Sequence, residues 1–147
     1  MITQLSLATV MVIVMVLMHL LGLAVLMRGL RSHSRLFRRL RIMPLTLLLV
    51  ATAGIILIHT VEIWTFAALY LELNCFSHFE EALYFSTVTY ATIGYGDLVM
   101  PHSWRILGAI EGAAGIVMLG WSTAFLVSLL SQLRLLGHDW LAAEKER

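Results

Sequence analysis

Thr92-Ile93-Gly94-Tyr95-Gly96-Asp97 decides the reading of this chain, because glycines at alternate positions let a strand take backbone angles that are closed to other residues. Just before it, Ser77-His78-Phe79-Glu80 has the form of a capping box, with Ser77 as N-cap and Glu80 at the third helical position. Glu80 and Glu81 also suit the positive end of a helix over 78–90. Such a helix is about 19 Å long, too short to cross a bilayer. It must enter and stop halfway. Irregular backbone at that depth is tolerated only where it is buried in protein or lines a water-filled path.

Working outward, the flanks are apolar. Of the 147 residues, 60% are hydrophobic and 13% charged, far from the soluble balance. Stretches at 5–27, 44–71 and 104–133 each exceed the roughly 20 residues a membrane helix needs. Residues 1–6 carry no positive side chain and no cleavage pattern follows, so 1–27 reads as a helix and not as a secretory leader. The linker 28–43 holds Arg28, Arg31, Arg35, Arg38, Arg39 and Arg41, which the positive-inside rule places in the cytoplasm. The N-terminus is then outside, 72–101 faces outside, and the tail 134–147 is cytoplasmic and too short for a regulatory domain. The outer segment carries Glu72, Glu80, Glu81 and Asp97 and no Lys or Arg, as a cation entrance should. The helical spacing of the arginines has the look of a voltage sensor, but Ser32-His33-Ser34 interrupts the run and the preceding span holds no acid. An interfacial basic helix fits better, with Leu30, Leu36, Phe37 and Leu40 in lipid and the arginines on anionic headgroups.

In that setting, residues 44–133 resemble the pore domain of potassium channels, whose filter pattern Thr-Val/Ile-Gly-Tyr-Gly-Asp stands here at 92–97. The resemblance implies an all-α membrane protein: three transmembrane helices, a re-entrant pore helix (78–90) and filter (92–97) between an outer helix (44–71) and an inner helix (104–133). It implies K⁺ held by the carbonyls of Thr92, Ile93, Gly94 and Tyr95, with Gly96 completing the filter. The chemistry is consistent with those residue types. Rings of backbone carbonyls replace the hydration shell of the ion without a fixed charge that would hold it too tightly. One chain supplies one strand, so four copies are expected to close a homotetramer. No organic cofactor is implied.

By the same resemblance, the Tyr95 ring points into an aromatic cuff matched by Tyr84 and Phe85, a reading preferred to ordinary pore-helix packing, and Asp97 braces the filter. Val88 departs from the pattern, since some members carry a glutamate there that bonds the filter aspartate. Gly115 matches the inner-helix hinge, with helix packing as the equal alternative. Ile116, Leu119, Thr123 and Val127 share one helical face and would line the cavity. Glu62 and Glu111 lie at similar depth, with His59 one turn from Glu62, and the three are candidates for sensing protons. For Glu111, four residues from Gly115, a coupling of protonation to inner-helix position stands beside a structural hydrogen bond holding the pore helix.

Cys75 excludes an intrachain disulfide and is expected as a free thiol in preference to an intersubunit bridge. His19, His33, His78, His102 and His138 show no metal-ligand spacing. A non-selective cation channel would usually lose the second glycine or the tyrosine, a potassium transporter would carry four degenerate loops in one long chain, and an enzyme would need a nucleophile and base that do not appear.

Overall fold

The computed structural model describes the backbone of residues 1–37 and 43–145, and the side chains of residues 1–32 and 45–132. The described chain is all helical: α1 (Ile2–Phe37), α2 (Met43–Glu72), α3 (Phe79–Tyr90) and α4 (Arg105–Lys145). Three segments, Ile2–Ser32, Leu45–Glu72 and Arg105–Gln132, are long and apolar enough to cross a membrane. Their outward faces are as apolar as their inward ones. On α1, Val10, Ile13, Leu17, Leu20, Leu21 and Val25 are exposed, whereas Ala8, Met11, Met15, His19 and Leu30 are buried. From Ala8 to His19 the buried set recurs every three or four residues, and Leu30 follows three turns on, one stripe of a helix laid against neighbours.

α1 and α3 each pack against both α2 and α4. The larger core joins Met11 and Met15 of α1, Phe66 and Tyr70 of α2, Phe85 and Tyr90 of α3, and Leu107 and Met118 of α4. Beyond the end of α3 the three long helices meet directly, Leu30 of α1 against Leu47 and Ala51 of α2 with Phe125, Leu126 and Leu129 beside them.

Several boundaries differ from the sequence reading, and each has a local cause. α1 does not stop at 27 but runs on to Phe37, because Ser and His cost a helix only a few tenths of a kcal/mol each and cannot break one unaided. Leu30 therefore sits in the protein core and not in lipid. The side chains of Arg35, Arg38, Arg39, Arg41, Leu36, Phe37 and Leu40 lie outside the described residues. α4 likewise absorbs most of the tail, reaching Lys145 through a stretch that holds three Leu and two Ala, all good helix formers. The N-cap of α3 is His78 in extended backbone with no side-chain cap, one residue later than the Ser77 box. Glu81, not Glu80, reaches back, accepting from the Ser77 N–H at 3.2 Å.

α2 ends in a Schellman turn. Asn74 takes the left-handed conformation at φ 53°, its N–H bonds Leu71 O at 2.9 Å, and the Cys75 N–H bonds Tyr70 O at 2.9 Å. Asn tolerates that angle better than most residues. The turn ends the span and leads into α3. Cys75 is a half-buried free thiol there, and burial raises its pKa.

Candidate functional site

The same turn ends α3, but with an unsuited residue. Thr92 adopts φ 59°, its N–H bonds Thr89 O at 3.0 Å, and the Ile93 N–H bonds Val88 O at 2.8 Å. Glycine is the usual occupant. A β-branched residue there is a genuine outlier, costing on the order of 1–3 kcal/mol, and such strain collects at functional sites. The Gly94 N–H also bonds Val88 O, at 3.1 Å. The last carbonyls of α3 thus anchor the strand that follows it.

Along that strand φ is positive at Thr92 (59°), Gly94 (57°) and Gly96 (79°) and at none of the residues between. Reversing the sign at alternate residues undoes the usual alternation of a β-strand and lets successive carbonyls point to one side. Gly94 and Gly96 reach these angles without a Cβ penalty. Within one chain a Cβ at either position would meet nothing within 4 Å, so the demand on them is conformational. Residues 91–97 are all exposed, with Tyr95 at 70%.

One side-chain bond holds this strand from behind: Tyr84 Oη donates to Asp97 Oδ2 at 2.7 Å. The bond holds the Asp97 carboxyl below the ordinary carboxylate range and pushes the Tyr84 hydroxyl up. Val88 contributes its carbonyl, not its side chain. Phe85 lies in the buried core. It stacks with Tyr70 and Phe76 at ring-centroid distances of 5.6 and 5.1 Å, in the core between α2, α3 and α4.

α4 passes close beneath the end of α3. A Cβ at Gly115 would collide with the Tyr90 carbonyl, and one at Gly112 would stand 3.3 Å from Thr89 O. The helix runs unbroken through Gly115, whose lack of a side chain serves this crossing. Ile116 and Val127 are more than half exposed, and Leu119 and Thr123 are exposed beside them, a face left uncovered by the described residues.

Behind the strand lie two buried polar groups. Glu111 is fully buried and accepts from Tyr70 Oη and Ser86 Oγ, both at 2.5 Å, tying α4 to α2 and α3. Glu62 accepts from Tyr90 Oη at 2.5 Å, and its two oxygens lie 3.0 Å from His19 Nδ1 and 3.1 Å from His59 Nδ1. Ser122 Oγ stands 3.0 Å from His59 Nε2 and 3.4 Å from His19 Nε2. The two glutamates are separate sites and share no hydrogen bond. The pairing of His59 with Glu62 was visible in the sequence, whereas His19 was not a candidate there. It lies 43 residues from Glu62, and only the packing of α1 on α2 brings them together. The one available signal was a histidine in an otherwise apolar span.

No curated protein and no solved structure matches this chain. Residues 45–132, more than half of it, match a family model described as ion channel. That stretch begins in α2, takes in α3 and the strand, and ends in α4, leaving α1 outside. With three helices able to cross a membrane and a family match that spans two of them, the chain is a multi-pass membrane protein and belongs to the ion channel family.

Proposed function

We propose that the protein is a potassium-selective channel, a homotetramer in which residues 92–96 of each copy supply one wall of the filter. The observation that carries this reading is the alternating sign of φ at Thr92, Gly94 and Gly96, with strain accepted at a β-branched residue. Such a strand offers consecutive carbonyls to one side, the arrangement that can replace a potassium hydration shell. α3 is the pore helix, and Asp97 and Tyr84 brace the filter. Tyr95 finds its packing partners on neighbouring copies. The exposed face of Ile116, Leu119, Thr123 and Val127 lines the cavity, and closed fourfold symmetry covers what a single chain leaves bare.

The N-terminus is outside and the C-terminus cytoplasmic, as the arginine cluster requires. Those arginines meet anionic lipid headgroups. Glu111 acts as a structural acceptor, since both its oxygens hold hydroxyls from α2 and α3. Conduction needs no chemistry beyond this, and the protein is not an enzyme.

Vesicles loaded with potassium and holding the purified protein test the proposal. An outward potassium gradient should drive uptake of a membrane-permeant cationic dye, and an equal sodium gradient should not. Equal responses would support a non-selective channel of the same architecture.

A further inference from the structure

The cluster of His19, His59, Glu62, Tyr90 and Ser122 takes no part in the proposed conduction path, and its hydrogen-bond count does not close. His19 is fully buried and Glu62 is 1% exposed. Both Nδ1 atoms face one carboxylate, an acceptor only, and His59 Nδ1 also stands 2.6 Å from Tyr90 Oη, whose single proton goes to Glu62 Oε2, so each ring carries its proton on Nδ1. Each neutral ring then presents Nε2 as an acceptor. Both Nε2 atoms meet the hydroxyl of Ser122, which has a single proton to donate. One acceptor is left facing another, and the carboxylate charge stays at membrane depth, where it is costly.

We propose that this cluster is a binding site for a divalent transition metal of the zinc class, held by His19 Nδ1, His59 Nδ1 and the Glu62 carboxylate. The ligand atoms lie within 4.8 Å of one another. Two imidazoles and a carboxylate form a donor set that zinc uses, and the nitrogens argue against calcium or magnesium. Ligands about 2.0–2.1 Å from a tetrahedral centre stand about 3.4 Å apart. The two nitrogen–oxygen pairs, His19 Nδ1 to Oε1 at 3.0 Å and His59 Nδ1 to Oε2 at 3.1 Å, are shorter than that by only a few tenths of an ångström.

With the cation bound, both Nδ1 lone pairs turn to the metal and both ring protons move to Nε2. The two Nε2–H groups donate to Ser122 Oγ, whose lone pairs accept both. Tyr90 Oη continues to donate to Glu62 Oε2. Metal-bound histidines and carboxylates are commonly supported in this way, and here the supporting groups already stand in place. The unmatched acceptor is removed and the carboxylate gains a counter-charge, the cluster passing from a net charge of −1 to one of +1. The ligands come from α1 and α2, so the ion would clamp the N-terminal helix to the span beside α3.

One extra proton shared between the imidazoles would close the same count, and metal analysis separates the two cases. The full chain, grown with added zinc and freed of any affinity tag, should carry about one zinc per chain, as a site of this three-ligand donor set would. Cobalt-grown protein should show the visible absorption of protein-bound cobalt. Glu62→Gln should lose at least nine-tenths of the metal. Ser122→Ala keeps every ligand and should weaken zinc affinity about 10–100-fold in competition with a chelator. If folded wild-type protein holds neither metal, the cluster binds only a proton and the proposal falls. Unchanged affinity in Ser122→Ala, or full metal in Glu62→Gln, overturns it as well.

Discussion

The strand at 92–97 and the polar groups behind it obey opposite rules. The strand is exposed, makes one side-chain hydrogen bond of length across the chain, from Tyr84 to Asp97, and is shaped by backbone angles at three alternate residues. The groups around Glu62 and Glu111 are buried, and side chains from all four helices define them. In lipid, apolar contact between helices gains little over contact with acyl chains, so hydrogen bonds of about 0.6–2 kcal/mol each and close packing fix the helix positions. The filter region depends on what one short segment can do, and its support depends on what distant segments do together.

That contrast is open to attack by substitution. The largest effect is expected at Gly94. Gly94→Ala places a Cβ on a left-handed residue, and potassium flux should be abolished while helical content stays unchanged, because the Cβ meets nothing within one chain. Flux and circular dichroism on one preparation check both halves. Unaltered flux would mean that the backbone angles do not matter.

Gly115→Ala attacks the support, forcing α4 away from the Tyr90 carbonyl. Thermal unfolding in detergent should show a loss of about 1–3 kcal/mol, the range for overpacking. Gly120→Ala is the control, with nothing within 4 Å, and should be neutral or slightly stabilising. Equal losses would remove the distinction between a close crossing and an ordinary helical glycine.

A comparable or smaller loss is expected for Tyr70→Phe, which leaves one oxygen of buried Glu111 without its donor at about 1–3 kcal/mol. Removing the carboxylate as well should recover part of it. A double-mutant cycle of Tyr70→Phe with Glu111→Gln measures the coupling, and strict additivity would show that the bond carries no stability.

These differences also explain what could be read from sequence. Three spans and a short helix were legible because length and hydropathy are local properties. The filter was legible because its demand falls on single residues, Gly94 and Gly96. The strain at Thr92 was not, since nothing in the order of residues says that a β-branched side chain will close the Schellman turn of α3. The displaced cap, with Glu81 serving Ser77, reflects competition between adjacent carboxylates for one N–H. His19 escaped notice because its partner sits on another helix, and periodicity carries no information about which stripes meet.

The smallest expected effect concerns pH. The Tyr84 hydroxyl holds the folded Asp97 carboxyl below its ordinary value, so the contribution of this bond is present above that value and is lost as pH falls through the depressed one. Tyr84→Phe removes the donor and should move any acid-induced fall in potassium flux to higher external pH. An identical acid profile in both proteins would show that the brace does not govern the filter.

The central claim is tested most directly by the reversal potential of single channels in a planar bilayer with potassium on one side and sodium on the other. The account predicts current that reverses only at strongly displaced voltages, toward the potassium equilibrium potential, and follows it when the potassium gradient is changed. Reversal near zero in that bi-ionic condition would contradict it.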